Sequence, residues 1–286
     1  ERVQAIGKPL KEWDIEIVRG IVTGFNEAFV INEATKKQLI KEDKTSAKLI
    51  KPLLRGRDLY RYGFSFQNLY LIGTFPSLNL KINDYPAIKK HLLSFGKNSL
   101  EQTGAKGARK KTSNDWFETQ DQISYWKSFE QAKIIYPNMI TDIGFAYDEA
   151  CYYTNQKCFL ITGEKLKYLV GVLNSKLFRF CYEDSFPEVQ GNAREINKVI
   201  FIEKSVKYPS EKEETEIAKR VERILHQKKS GKETGNLERE IDAIVYQIHG
   251  FTFDESCLVE ANNNWMNEEE YNKFSIEKSS KTNVAV

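Results

Sequence analysis

Short apolar runs alternate with amphipathic stretches along this chain in an irregular order, and that order constrains the fold most. Continuous or alternating apolar runs predict strands, whereas apolar residues at three- and four-residue spacing predict helices. Strands are predicted as a pair within 16–32 and at 69–72, 134–136, 144–146, 158–161 and 199–202, and helices at 34–44, 86–93 and 164–180. This irregular alternation predicts an α/β fold with a mixed sheet (α+β), and not a doubly wound parallel sheet.

The chain changes character after Pro209. Ser210 and Glu213 have the spacing of a capping box, and apolar residues then recur on one helical face. A turn at 230–235 separates this helix from a second one, which Gly250 can end. We therefore expect a large domain over 1–207, a helical hairpin over 208–250 and a polar, poorly ordered tail over 251–286.

The composition, with 41% hydrophobic and 29% charged residues in 286, is typical of a globular protein, which we expect to be cytoplasmic. No apolar run approaches the roughly 18 residues that cross a bilayer, and no signal peptide is recognisable. The four cysteines lack paired spacing, which argues against both a zinc site and a disulfide framework. Because the chain begins with Glu1 instead of Met, we expect a fragment of a longer protein.

The net charge of +3 conceals an uneven distribution. Residues 1–207 carry an excess of eight positive charges, and residues 208–286 an excess of five negative charges. The strongest local excess, nine positive charges, lies between Lys51 and Lys111. Such a surface suits phosphate, because each neutralised phosphate releases condensed counterions. The alternative is a solvated basic face that has no partner.

Signatures of catalysis are absent from the sequence. No glycine-rich phosphate loop follows a strand, no nucleophile motif is present, and the three histidines lie far apart on helical stretches. The Asn/Asp-Pro-Pro-aromatic tetrapeptide of amino-group DNA methyltransferases is also missing, since Tyr136-Pro137-Asn138 has a single proline. We therefore predict no catalytic residue, no metal and no cofactor for this fragment, which is expected to bind and not to catalyse.

Two other interpretations stay open. A metal-dependent nuclease needs acidic groups that converge on Mg²⁺, and Asp142, Asp148 and Glu203 are the candidates for that role. Alternatively, the hairpin over 208–250 could be a protein-interaction module whose apolar faces are buried between chains.

Five segments of the chain contain recognisable sequence patterns. Among these patterns are Pro-x-x-Arg-Gly-x-Asp at 52–58 and Asn-Ser-Lys at 174–176. All five resemble, in the same order, segments of the TaqI-like C-terminal specificity domains, the target-recognition regions of type IIG restriction–modification enzymes and related adenine-N6 DNA methyltransferases. The segments are 20–31, 50–62, 133–137, 169–177 and 237–246.

The resemblance implies sequence-specific binding of double-stranded DNA by a domain of mixed α/β fold. It also implies that an upstream domain of the same polypeptide binds S-adenosylmethionine and methylates adenine, so that both the cofactor site and the catalytic tetrapeptide precede Glu1. The parent protein could cleave DNA as well. No membrane partner is expected.

Basic and amide side chains in loops are the candidate DNA contacts. Lysine and arginine bind phosphates, whereas arginine matches guanine and asparagine or glutamine matches adenine in the major groove. For the basic residues of the irregular, polar loop at 96–115 the alternative is a disordered surface loop, and for the base contacts it is ordinary turn chemistry. For Arg55 and Arg57 we slightly favour a structural role. The predicted phosphate contacts are Lys106, Arg109, Lys110, Lys111, Arg55 and Arg57. The predicted base contacts are Gln190, Asn192, Arg194, Asn138 and Thr141. Core packing, and not base stacking, is expected of Trp116, Phe117, Tyr125 and Trp126.

Overall fold

In a computed structural model the described residues are 1–142, 144–189 and 191–276. They form two compact units. Unit 1 combines Glu1–Ile15, Ile140–Phe145 and the chain from Gly163 onward, whereas unit 2 combines Glu16–Met139 and Ala146–Thr162. The boundary predicted between residues 207 and 208 does not coincide with this division, because the helical hairpin shares unit 1 with the helices that precede it.

The strands are short, and most of them contain three residues or fewer. Within the described residues they are β1 (Lys8–Pro9), β2 (Ile15–Arg19), β3 (Val30–Asn32), β4 (Ile50–Leu54), β5 (Leu59–Tyr60), β6 (Gly63–Phe64), β7 (Leu69–Ile72), β8 (Lys133–Pro137), β9 (Met139–Ile140), β10 (Ala146–Asp148), β11 (Tyr153–Thr154), β12 (Cys158–Gly163), β13 (Glu188–Val189), β14 (Ala193–Glu195) and β15 (Ser205–Val206).

The helices are longest in the C-terminal part of the chain. Within the described residues the α-helices are α1 (Arg2–Ile6), α2 (Asn26–Phe29), α3 (Glu33–Glu42), α4 (Pro86–Leu93), α5 (Lys97–Leu100), α6 (Leu166–Leu173), α7 (Lys176–Tyr182), α8 (Lys198–Phe201), α9 (Glu211–Lys229), α10 (Gly235–Ile248), α11 (Phe253–Glu260) and α12 (Glu268–Lys273). None of these is both long enough and apolar enough to cross a membrane.

Unit 2 is built on two four-stranded sheets. One has the order β10-β8-β12-β2, and β8 runs antiparallel to both β10 and β12. The other has the order β11-β4-β7-β3, in which β11 lies parallel to β4 and the remaining neighbours are antiparallel. Apolar residues of the second sheet and of β2 and β12 pack with α3 and α4 into one core. The structure therefore confirms the predicted mixed α/β fold.

Unit 1 is mainly helical. Helix α6 is buried along nearly its whole length, and α9 packs against it so closely that a Cβ on Gly171 would lie 2.5 Å from Cγ2 of Ile217. The predicted hairpin is present as α9 and α10, and the capping box of Ser210 and Glu213 begins it. The hairpin supplies the apolar surface that α6 needs, which explains why both belong to one unit.

The tail after Gly250 is the clearest correction in this unit. We expected residues 251–286 to be poorly ordered, but α11 and α12 occupy much of 253–273, and residues 277–286 lie outside the described part. Trp265 and Tyr271 are nearly fully buried and pack edge to face at 6.1 Å between ring centroids. Aromatic burial thus orders a segment that is poor in aliphatic residues.

Three strand and helix predictions are also wrong. The strands within 16–32 do not pair with each other, since β2 neighbours β12 and β3 pairs with β7. The strand expected at 199–202 is the helix α8, because the Asn197 side chain caps it at Val199 N. The helix expected over 164–180 breaks at Asn174, whose side chain makes two hydrogen bonds to the main chain of Phe145.

Candidate nucleic-acid interface

Residues 101–122 of unit 2 form a long loop, called the basic loop below. It carries three of the predicted phosphate contacts, Lys106, Lys110 and Lys111, as exposed side chains. Gly104 and Gly107 have φ angles of 74° and 85°, a region that glycine adopts without strain. They close a tight turn in which Gly104 N donates to the carbonyl of Arg109 at 2.9 Å. The turn presents Lys106 to solvent.

Arg109 holds the basic loop from inside. Its guanidinium donates four hydrogen bonds of 2.7–2.8 Å to the main-chain carbonyls of Leu100, Thr23, Glu118 and Trp116. The residue is 4% exposed, and burial lowers the pKa of Arg109 to about 10, so the side chain stays charged at neutral pH. The prediction that Arg109 contacts phosphate is wrong, because the N–H groups of its guanidinium donate to main-chain carbonyls inside unit 2.

Gln102 is a second internal support of the same loop. Its amide donates to the carbonyls of Asp115 and Glu118 at 3.1 and 3.2 Å, and its oxygen accepts from Thr112 Oγ1 at 2.7 Å. Asn114 adds hydrogen bonds to the carbonyls of Thr119 and Gln120 at 3.2 and 2.9 Å. Buried and half-buried polar side chains therefore fix the basic loop, and its lysines are attached to a defined main-chain conformation.

Carboxyl groups near the basic loop are partly withdrawn from solvent. Burial raises the pKa of Glu118, whose carboxylate accepts from Asp115 N at 2.7 Å. Burial also raises the pKa of Asp121, although the positive charges of Arg19 and Lys110 act to lower that pKa. In both carboxyl groups, burial disfavours the charged form.

Arg55 and Arg57 differ in accessibility. Arg55 binds Asp58 through two hydrogen bonds, Nε to Oδ2 at 3.0 Å and Nη2 to Oδ1 at 2.8 Å, and Asp58 also accepts from Arg55 N. This bond to Asp58 raises the pKa of Arg55. Arg57, in the same short 3₁₀ turn, is exposed. The geometry favours a structural role for Arg55 and leaves Arg57 accessible to a ligand.

A β-hairpin of unit 1 carries two of the predicted base contacts, Asn192 and Arg194. Strands β13 and β14 pair antiparallel, with Val189 opposite Ala193. Asn192 is exposed between these strands with a φ of 58°, whereas Gln190 lies outside the described residues. The hairpin presents an amide side chain at its tip.

Arg194 lies on β14 and is partly engaged. Its Nη1 donates to the carbonyl of Phe186 at 3.1 Å, and its Nη2 pairs with Asp184 at 2.7 Å. The Asp184 side chain is 95% exposed, so water screens this pair strongly and the pair contributes little energy. Arg194 can therefore exchange Asp184 for another acceptor at small cost.

Asn138 and Thr141, two further predicted base contacts, belong to different units. Asn138 belongs to unit 2, where it is half-buried and its main-chain N donates to the carbonyl of Lys157 at 2.8 Å. Thr141 belongs to unit 1 and is exposed. Their side chains stay candidates for DNA contact, each within its own unit.

The acidic residues of the nuclease interpretation are each paired with a basic side chain. Asp142 binds Arg179 at 2.6 Å, Glu203 binds Lys11 at 2.7 Å, and Asp148 binds Lys133 at 2.6 Å with both side chains fully buried. In the described part of the chain, no group of three or more His, Cys, Asp and Glu side chains could hold a metal ion. The geometry therefore does not favour metal-dependent cleavage by these residues.

Two of the three histidines and four aromatic residues behave as packing groups, whereas His226 is exposed. His249 is 1% exposed, and burial lowers its pKa, as it does that of the half-buried His91. Phe117 is buried in the core of unit 2, and Trp116, Tyr125 and Trp126 pack against that core. The expectation that these four aromatic residues belong to the core agrees with this packing.

Similarity to known proteins agrees with the fold. Residues 51–203 match the family of TaqI-like C-terminal specificity domains. The type II methyltransferase M.MjaIV of Methanocaldococcus jannaschii is 27% identical over 242 residues, which cover 79% of this chain and 76% of that protein.

Two solved structures share the fold. The type IIL restriction–modification enzyme MmeI in complex with DNA has a TM-score of 0.60 and 11% identity, over 93% of this chain and 36% of that one. The type IIG restriction endonuclease BpuSI has a TM-score of 0.50 and 13% identity, over 92% and 32%. This chain thus spans about a third of the solved chains it matches.

The mixed sheets and the C-terminal helices define a domain of the kind found in restriction–modification enzymes. More specifically, the family match covers more than half of the residues, and the chain belongs to the TaqI-like C-terminal specificity domain family.

Proposed function

We propose that this chain binds double-stranded DNA in a sequence-specific way, as the specificity domain of an adenine-specific DNA methyltransferase or restriction–modification enzyme. The family match over residues 51–203 carries the proposal. The exposed lysines of the basic loop support it, because phosphate contacts from lysine and arginine set the affinity and register of a protein on DNA.

Methyl transfer belongs to a different part of the parent protein in this proposal. The chain shows no catalytic signature in its sequence, and it spans about a third of the solved restriction–modification chains that share its fold. We infer that S-adenosylmethionine binds to a methyltransferase domain of the same polypeptide, and that this chain supplies target selection. Any cleavage of DNA by the parent would likewise reside elsewhere.

In this proposal, the basic loop binds phosphates and the β-hairpin of β13 and β14 contacts bases. Lys106, Lys110 and Lys111 are point charges on a fixed loop, which suits the uniform backbone of DNA. Asn192 and Arg194 lie on a short hairpin, and their amide and guanidinium groups match adenine and guanine edges. Each segment can be tested separately.

Replacing Lys106, Lys110 and Lys111 together with alanine is expected to weaken binding to duplexes of every sequence. Three lost phosphate contacts should lower the slope of log affinity against log salt concentration by about 2.7, since each contributes about 0.9. Fluorescence anisotropy over a salt series, with duplexes that carry randomised cores, measures that slope.

A matched control removes the same charge from the helical hairpin of unit 1. Lys212, Lys219 and Lys232 are exposed there, and their joint replacement with alanine should leave the slope almost unchanged. Equal slopes for the loop variant, this control variant and the unmodified chain would show that the basic loop does not contact phosphate.

Asn192→Ala and Arg194→Ala are expected to relax the preference at individual base positions and leave the salt slope unchanged. A bidentate contact to one base is worth about 1–3 kcal/mol of discrimination. Sequencing of the bound fraction from the randomised duplexes should show one short motif for the unmodified chain, with one position degraded in each variant.

Glu188→Ala, on the same hairpin, is the control and should retain the full motif, because an exposed carboxylate repels phosphate and its loss removes no base contact. If Asn192→Ala and Arg194→Ala both enrich the motif as strongly as the unmodified chain, the β-hairpin of β13 and β14 does not contact bases. If the unmodified chain enriches no motif, sequence-specific binding itself is wrong.

A further inference from the structure

A second surface of unit 2 concentrates more positive charge than the basic loop. Helix α3, the 3₁₀ helix Lys44–Lys48 that follows it and helix α4 carry the side chains that we call the lysine face. Residues 33–48 and 81–97 together contain nine lysines and four acidic residues, an excess of five positive charges. The basic loop, residues 101–122, contains four basic and four acidic residues. The lysine face consists of Lys37, Lys41, Lys44, Lys48, Lys89 and Lys90.

Asp43 lies between α3 and the 3₁₀ helix that follows it, and its side chain helps to hold the helices together. Its carboxylate accepts hydrogen bonds from Thr45 N at 2.9 Å and from Thr45 Oγ1, and the pKa of Asp43 is lowered by Thr45, Ser46 and the main-chain N–H of Ala87 at the start of α4. Thr45 Oγ1 also donates to the carbonyl of Asp84 at 3.1 Å. One acidic group therefore fixes α4 beside the segment after α3.

The remaining acidic groups neutralise little of the lysine face. Glu42 lies 3.7 Å from Lys90, and Glu33 lies 3.6 Å from Lys37, with both lysine side chains more than 70% exposed. Exposed pairs at such distances are weak and screened by salt. Lys41, Lys44 and Lys48 are exposed and form no ion pair with the described residues. Their charge is available to a ligand.

The lysine face and the basic loop are neighbours within unit 2. Helix α5 follows α4 after three residues, and Lys97 of α5 lies 3.8 Å from Glu101 at the start of the basic loop. Asn98 of α5 approaches the loop turn, with its Nδ2 3.6 Å from the Cβ position of Gly107. A ligand that extends beyond the basic loop can therefore meet the lysine face next.

The chemistry of the lysine face favours a polyanion without apolar groups. Protein partners usually bury aromatic or aliphatic anchors at the centre of their interface. Across α3 and α4, Leu93 is the one large apolar side chain that is exposed, at 37%. Ammonium groups spread over two helices match repeated phosphates, because lysine acts as a flexible point charge and needs no shaped pocket.

We propose that the lysine face is a second phosphate-binding surface, which contacts the DNA backbone beside the recognised site. The proposal rests on the proposed function, since it assigns to the same duplex a surface that the basic loop alone does not cover. It gives affinity without sequence information, as contacts to phosphate do.

The test replaces Lys41, Lys44 and Lys48 together with alanine in the full chain. Its salt slope in fluorescence anisotropy, with a 40-base-pair duplex, is expected to fall by about 2.7 relative to the unmodified chain, about 0.9 for each phosphate contact. The motif enriched from randomised duplexes should stay unchanged. The control of equal charge is the helical-hairpin variant, in which Lys212, Lys219 and Lys232 are replaced with alanine. Circular dichroism checks that all variants are folded.

The possible outcomes separate the two proposals. If the Lys41, Lys44 and Lys48 variant has the same salt slope as the unmodified chain and retains the motif, the lysine face does not bind phosphate. That result does not contradict sequence-specific DNA binding. Binding of poly-glutamate by the unmodified chain that the variant loses, with no change in the DNA slope, overturns the lysine-face proposal in favour of an acidic protein partner. Failure of the unmodified chain to bind any duplex at low salt overturns both proposals.

Discussion

Arg109→Met is expected to lower the free energy of unfolding by about 3–5 kcal/mol, the cost of leaving several buried polar groups without partners. Methionine fills a similar volume but leaves the carbonyls of Leu100, Thr23, Glu118 and Trp116 without their common donor. Urea unfolding followed by circular dichroism measures the change. Arg109→Lys should recover little of it, because an ammonium group cannot reproduce the planar fork of the guanidinium.

Lys110→Met is the matched control, since it removes the same charge from the adjacent, exposed position. Its unfolding free energy should stay within about 0.5 kcal/mol of the unmodified chain. Arg109→Met should also weaken DNA binding, because the turn that presents Lys106 depends on the fixed loop. A stable Arg109→Met variant that binds DNA normally would mean that the basic loop needs no internal support.

Strong local signals in the sequence were sufficient for several elements. The strand β7 and the helices α3 and α4 lie where apolar spacing predicted them, and the hairpin of α9 and α10 follows the capping box at Ser210. Segments with weaker signals were misassigned. At 199–202 four apolar residues suggested a strand, but the cap at Asn197 starts a helix there.

Pairing between distant segments was beyond the reach of the sequence. Strand β11 lies parallel to β4, with Tyr153 opposite Leu53, although about a hundred residues separate them. Likewise, the division into two units depends on segments such as Ile140–Phe145 that leave one unit and join the other. Local periodicity contains no information about such long-range contacts.

The candidate site was predicted in part for the same reason. Lys106, Lys110 and Lys111 are exposed, as phosphate contacts must be, whereas Arg109 in the same basic run is buried by acceptors that include Thr23, 86 positions away. Nothing in the local sequence distinguishes the two kinds of residue. Lysines of α3 and α4 were each visible in the sequence, but only the structure shows that the two helices are neighbours.

Lys133→Met is expected to destabilise unit 2 by about 3–5 kcal/mol, because it leaves a buried carboxylate without a counter-charge. Lys133 and Asp148 are both fully buried on the paired strands β8 and β10, 2.6 Å apart. Lys133 also donates to the carbonyl of Phe129 at 2.7 Å, and Asp148 accepts from Ala150 N and Tyr152 N at 2.8 and 2.9 Å. The charges are thus fully hydrogen-bonded, and removing one leaves the other uncompensated.

A double-mutant cycle distinguishes this explanation from a loss of packing alone. Lys133→Met combined with Asp148→Asn replaces the stranded carboxylate with a neutral amide. Ala150 N and Tyr152 N donate to different oxygens of the Asp148 carboxylate, so the single amide oxygen can still accept from one of them. Urea unfolding of both single variants and the double variant should therefore show a loss for the double variant that is smaller than the sum of the single losses by about 1–3 kcal/mol, a coupling typical of residues in direct contact. Additive losses would contradict the buried charge as the cause. In that case the ion pair would matter for β8 only through the volume of the lysine stem, and β8 would tolerate any apolar residue of that length at this position.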